Sequence, residues 1–90
     1  MVNIDLYAWV IRGVQRIAVI KAITHPMTPS QIFKKAKEYH AKLSLNNTSD
    51  VLRGFDKKGI AVCPNQEEKI GRIYQLSQDG EEIRQELLKT

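Results

Sequence analysis

Ninety residues suffice for one domain with one modest core, since a chain of this size buries about 60–65% of its unfolded surface. A hydrophobic share of 42% excludes global disorder, no run of ~18 apolar residues offers a membrane span, and the single Cys63 excludes an internal disulfide framework. The net charge of +4 is unevenly spread: residues 1–44 carry seven Lys/Arg against Asp5 and Glu38, whereas the stretch from Ser77 carries two against four acids, so a polyanion is attracted to the body of the chain and repelled by its tail.

The opening Ile4–Ile11 is apolar nearly all round, with Tyr7 and Trp9. It either extends the helix that follows or forms a separate arm, Gly13 permitting a break. Asp5 stands where a secretory leader carries positive charge, so a cytoplasmic protein is expected. Arg12–Ile23 sets Val14, Ile17, Ala18 and Ile20 on one stripe against Gln15, Arg16 and Lys21, the pattern of an amphipathic helix that His25-Pro26 ends. Thr28-Pro29-Ser30-Gln31 then starts another, with Thr28 as cap, Pro29 at the first helical position and Gln31 completing a capping box. Ile32, Phe33, Ala36 and Tyr39 form its expected buried side, and Lys34, Lys35 and Lys37 its outer one.

Ser44 suits the N-cap of a helix over residues 45–58, and Lys57, Lys58 and Gly59 suit its end. Leu45, Thr48, Val51, Leu52 and Phe55 recur at helical spacing and leave Asn46, Asn47, Ser49, Asp50 and Arg53 opposite. A short helix with Asn, Ser and Arg on its polar face is what a major-groove reader looks like. Ile60–Cys63 and Gly71–Leu76 are β-prone and read as a hairpin with its tip near Gln66–Gly71. Ser77 or Asp79 opens a last helix striped by Ile83, Leu87 and Leu88.

The segments RGVQRIAVIKAI, TPSQIFKKA, LSLNNTSDVLRGFDKKGIAVC and EEKIGRIYQLSQDGEEI cover most of the chain from Arg12 onward. Together they resemble the winged helix-turn-helix transcriptional regulators of the MarR type, especially the small archaeal forms. The resemblance implies an α+β fold with a three-helix core, a β-hairpin wing and a C-terminal helix. It also implies a regulator that binds double-stranded DNA as a homodimer, with helix 45–58 in the major groove and the wing, about 64–72, on the minor groove or backbone. Two features depart from that pattern: Asp50 stands where such regulators often carry a basic residue, and the chain has only a short tail where they carry extra dimerising helices.

The expected base-reading residues are Asn46, Asn47, Ser49, Asp50 and Arg53; Asp50 would accept from a cytosine amino group or pair with Arg53. Arg72 and Lys69 are the wing candidates, Arg72 because a narrow minor groove attracts arginine. Ser30 and Gln31, at a helix start, with Lys34 and Lys35 in the next turn, would hold phosphates. The surplus of large apolar groups at the N-terminus, Ile4, Leu6, Tyr7, Trp9, Val10 and Ile11, together with Leu87, is expected to form a dimer interface. No catalytic constellation, cofactor motif or metal-ligand spacing occurs: His25 and His40 are far apart and Cys63 lacks a partner at ligand spacing. The rival reading from another class is a winged-helix module that binds protein rather than DNA.

Overall fold

The N-terminal apolar segment folds as a helix of its own. Asn3 caps it, its side-chain oxygen accepting from the Leu6 amide at 3.1 Å, and α1 runs Ile4–Ile11. Gly13 is extended (φ −129°, ψ 119°) and stands at the N-cap of α2, Val14–Ala22, so the chain breaks at Arg12-Gly13 instead of continuing. The computed structural model describes residues 1–68 and 71–89. Among them are five helices and a two-strand antiparallel hairpin, a small α+β arrangement.

α2 is the centre of the core. It packs against α1, α3, α4 and α5, and Ala18, Val19, Ile20 and Ala22 are all buried. An amphipathic stripe presumes one neighbouring layer; with neighbours on four sides the buried set spreads round the helix, and Val14, expected inside, is 66% exposed at its start.

α3, Pro29–Ala36, begins as its local sequence dictates. Thr28 Oγ1 accepts from the Gln31 amide at 3.2 Å while Gln31 Oε1 accepts from the Thr28 amide at 3.0 Å. Ile32 and Ala36 are buried, but the helix ends before Tyr39, whose ring is exposed and lies 5.7 Å from Lys21 Nζ. The expectation of a buried Tyr39 fails because it required one more helical turn.

α4, Leu45–Lys58, carries a second capping box, with Ser44 Oγ accepting from the Asn47 amide at 3.0 Å, and ends at Gly59 in the left-handed region (φ 74°). Thr48, Leu52 and Phe55 are buried, the Thr48 hydroxyl donating to Ser44 O at 2.9 Å. Past Gly59, β1 (Ala61–Val62) pairs with β2 (Gln75–Leu76), Ala61 opposite Leu76 and Val62 opposite Gln75. The ladder continues sideways at one point. Tyr74 and Met27 exchange backbone hydrogen bonds of 2.8 and 3.0 Å, which fastens the α2–α3 connection to the returning limb of the hairpin.

α5, Gln78–Leu88, is capped by Ser77 and buries Gly80, Ile83 and Leu87. The Ser77 hydroxyl also donates toward Gly59 O (2.6 Å) and Ile60 O (3.0 Å), which ties the start of α5 to the end of α4. Among the described residues no helix is long and apolar enough to cross a membrane.

Candidate nucleic-acid interface

Three segments distant in sequence meet on one side of the molecule. Ser30, Leu45, Ser49, Gly71 and Arg72 border a surface cleft of about 400 Å³, and Ser49, Leu52, Arg53, Arg72 and Tyr74 border an adjoining one of about 210 Å³; Pro29 borders both. The capped start of α3, the outward side of α4 and the returning limb of the hairpin are held together by the Met27–Tyr74 pairing and by α3 packing on α4.

On α4, Asn46, Ser49, Asp50 and Arg53 recur at intervals of three and four and therefore share one side; Lys57, four residues beyond Arg53, extends that row. Asn47 lies about 100° round the helix from Asn46. Its Oδ1 accepts from the Ser44 hydroxyl at 2.7 Å and the Ser44 amide at 3.4 Å, so Asn47 completes a cap and its carbonyl oxygen is engaged there. Arg53 is ion-paired with Asp50, both side chains well exposed. An exposed pair of this type contributes only ~0.2–1 kcal/mol, so a phosphate or a base edge can compete for the guanidinium.

Arg72 Nε donates to the Glu68 carbonyl at 2.8 Å, which holds the side chain against its own loop. Asn65 organises that loop: its Nδ2 donates to Gly71 O at 3.1 Å, and its Oδ1 accepts from the Ile73 amide at 2.9 Å and the Cys63 thiol at 3.4 Å. Lys69, expected beside Arg72, lies outside the described residues. Ser30 and Lys34 are exposed and, four residues apart, lie on the same side of α3; Lys35 is half-buried, and the Gln31 side-chain oxygen is engaged in its capping box.

Two contributors escape a reading by residue type. Leu45 is 43% exposed and borders the cleft, although its spacing assigns it to the buried stripe. Tyr74 stands at the back of the site, and burial, then the Cys63 and Asp56 charges, push its phenol above the ordinary tyrosine value against the opposing pull of Arg72 and Arg53. The alternation of the 71–76 segment was the signal available for Tyr74; nothing local marks Leu45.

The residues expected at a dimer interface divide in two. Val10 is completely buried and Leu87 nearly so in the chain's own core. Trp9 is likewise engaged internally. Its ring stands edge-on to Phe55 (centroids 5.9 Å apart), the Arg16 guanidinium lies 4.0 Å from its ring centroid, and Lys58 Nζ lies 5.4 Å away. Leu6 and Tyr7 are half-buried against the core; Ile11 is exposed.

Among the described residues no group of three or more His, Cys, Asp or Glu side chains is placed to hold a metal ion. Compared with models of protein families, with curated proteins and with solved structures, the chain finds no match in any of the three.

Proposed function

We propose that this chain is a winged-helix protein of the MarR-like type that binds double-stranded DNA as a homodimer and regulates transcription in the cytoplasm. The observation that carries the reading is the convergence of Ser30, Ser49, Arg53 and Arg72, from three separate segments, around two adjoining clefts on one face. In this reading α4 enters the major groove with Asn46, Ser49, Asp50 and Arg53 toward base edges. The start of α3, with Ser30 and Lys34, lies against the backbone, and the returning limb of the hairpin carries Arg72 to the neighbouring groove. The Met27–Tyr74 pairing supports it, because it fixes the limb relative to α3 and α4 and so fixes their spacing on a duplex. Weak pairing of Arg53 with Asp50 supports it too, since the arginine is oriented but not sequestered.

A protein-binding module is the second reading, and one observation favours it: Leu45 presents an apolar group at the rim of the cleft beside Pro29. Fluorescence anisotropy against genomic fragments separates the two. DNA binding through phosphates predicts that log K falls linearly with log salt, by ~0.9 for each phosphate neutralised. Arg53→Ala should weaken the preferred site by about 1–3 kcal/mol more than random duplex. Failure to bind any duplex at low salt would leave the protein-binding reading.

A further inference from the structure

α1 turns one side to its own core and another, equally apolar, to solvent. Val10 is buried and Leu6, Tyr7 and Trp9 are half-buried on the inner side, whereas Ile4 is 75% and Ile11 45% exposed, with the partly covered Ala8 between them and Met1 exposed ahead of them. Within the helix, Ile4, Ala8 and Ile11 are separated by four and three residues, the spacing that makes a seam for a second helix. Along the flank of that seam stand Asp5 and Arg12, seven residues apart and so on the same side two turns from each other. Both are exposed, and among the described residues neither side chain has an ion-pair or hydrogen-bond partner.

We infer that α1 packs antiparallel against α1 of a second copy of this chain, about a two-fold axis near Ala8. Charge selects this occupant and this direction. Antiparallel alignment sets the Ile4 end of one helix against the Ile11 end of the other and brings Asp5 to Arg12 of the partner subunit, twice by symmetry. Parallel alignment would instead level Asp5 with Asp5 and lay two helix dipoles side by side with like ends together. A small residue at the crossing point permits the ~8 Å approach at which isoleucines on both sides interdigitate. The seam is only two turns long, far smaller than a standard interface, so a weak dimer is expected. The inference rests on the dimeric part of the proposed function and is independent of its DNA-binding part.

Sedimentation velocity and equilibrium across micromolar to submillimolar protein test it, with circular dichroism to verify folding. Asp5→Arg and Arg12→Asp should each weaken the dimer by about tenfold, because the two-fold axis counts each lost pair twice. The double variant should restore the wild-type constant. Each substitution also opposes the helix dipole, and those penalties add in the double variant, so recovery can arise only from pairing between copies. Single variants weakened without recovery in the double overturn the antiparallel register. A wild-type dimer that none of the variants alters overturns the α1 seam and leaves dimerisation through another surface. A wild-type monomer at every concentration overturns seam and dimer together; if it still binds duplex in the anisotropy assay, the DNA-binding reading survives.

Discussion

Replacing Gly80 with alanine opposes two effects whose signs differ, and the structure decides between them. Gly80 is the third residue of α5, and alanine inside a helix is ordinarily about 1 kcal/mol better than glycine. A Cβ at Gly80, however, would stand 2.2 Å from Ile60 O, 3.1 Å from Leu76 Cδ2 and 3.2 Å from the Ile60 carbonyl carbon. The first is backbone, and its oxygen already accepts from the Ser77 amide at 2.9 Å and the Ser77 hydroxyl at 3.0 Å. Relief of the overlap must therefore move the start of α5 away from the α4–β1 junction and stretch those bonds. Overpacking of this kind costs ~1–3 kcal/mol, and loss of one or two hydrogen bonds adds ~1 kcal/mol each. After subtraction of the propensity gain the expected net loss is about 2 kcal/mol, or roughly 8–16 °C in Tm for a domain of this size. Thermal melting by circular dichroism, with urea midpoints at constant slope, measures it. A Tm equal to or above wild type would refute the reasoning, because propensity alone would then have prevailed over contact.

Asp50→Asn keeps the shape of the α4 face but removes the carboxylate that competes for Arg53; it should tighten binding to random duplex by about 3–10-fold, of the order of one surface pair plus one repulsion relieved, and unchanged anisotropy titrations would contradict that. Tyr74 titrates above its ordinary value, first because of burial. The native state thus holds the phenolic proton longer than the unfolded chain, so this contribution is complete below about pH 10 and fades as pH rises through the native value. Urea midpoints should fall in that alkaline window, and Tyr74→Phe should flatten the decline; an equally steep fall in the variant would assign it elsewhere.

What was legible in the sequence is what short-range chemistry determines. Thr28-Pro29-Ser30-Gln31 and Ser44 with Gly59 fix the ends of α3 and α4 through contacts within four residues, and they stand where that chemistry puts them. Periodicity announced the stripes but not how far each is covered. Leu45 and Leu88 belong to apolar stripes yet emerge at the ends of their helices, where their own fold leaves them 43% and 47% exposed. Val10 and Leu87, expected to meet a second copy, are covered by their own fold, and the outward side of α1 is carried by Ile4 and Ile11. The bonding of Asn65 was out of reach for a different reason. Asn65 bonds Gly71 and Ile73, six and eight residues away, and an asparagine in a turn-rich stretch carries no mark of such distant partners. Gly80 reads as a poor helix residue; only the approach of the Ile60 carbonyl explains it.

The chain contains one indole, and its surroundings make it a built-in optical probe. Trp9 belongs to α1, but the groups around its ring come from elsewhere: Arg16 from α2, Phe55 and Lys58 from α4. Its emission colour and intensity depend on burial against Phe55 and on cationic groups held beside the ring, so they report the docking of the first helix onto the fourth, not merely whether the chain is folded. The fluorophore sits on the inner side of α1, away from the Ile4–Ile11 seam, and would be spared direct contact in a paired state. Stopped-flow emission can therefore follow detachment of α1 as an event in its own right, without an attached dye or an engineered residue.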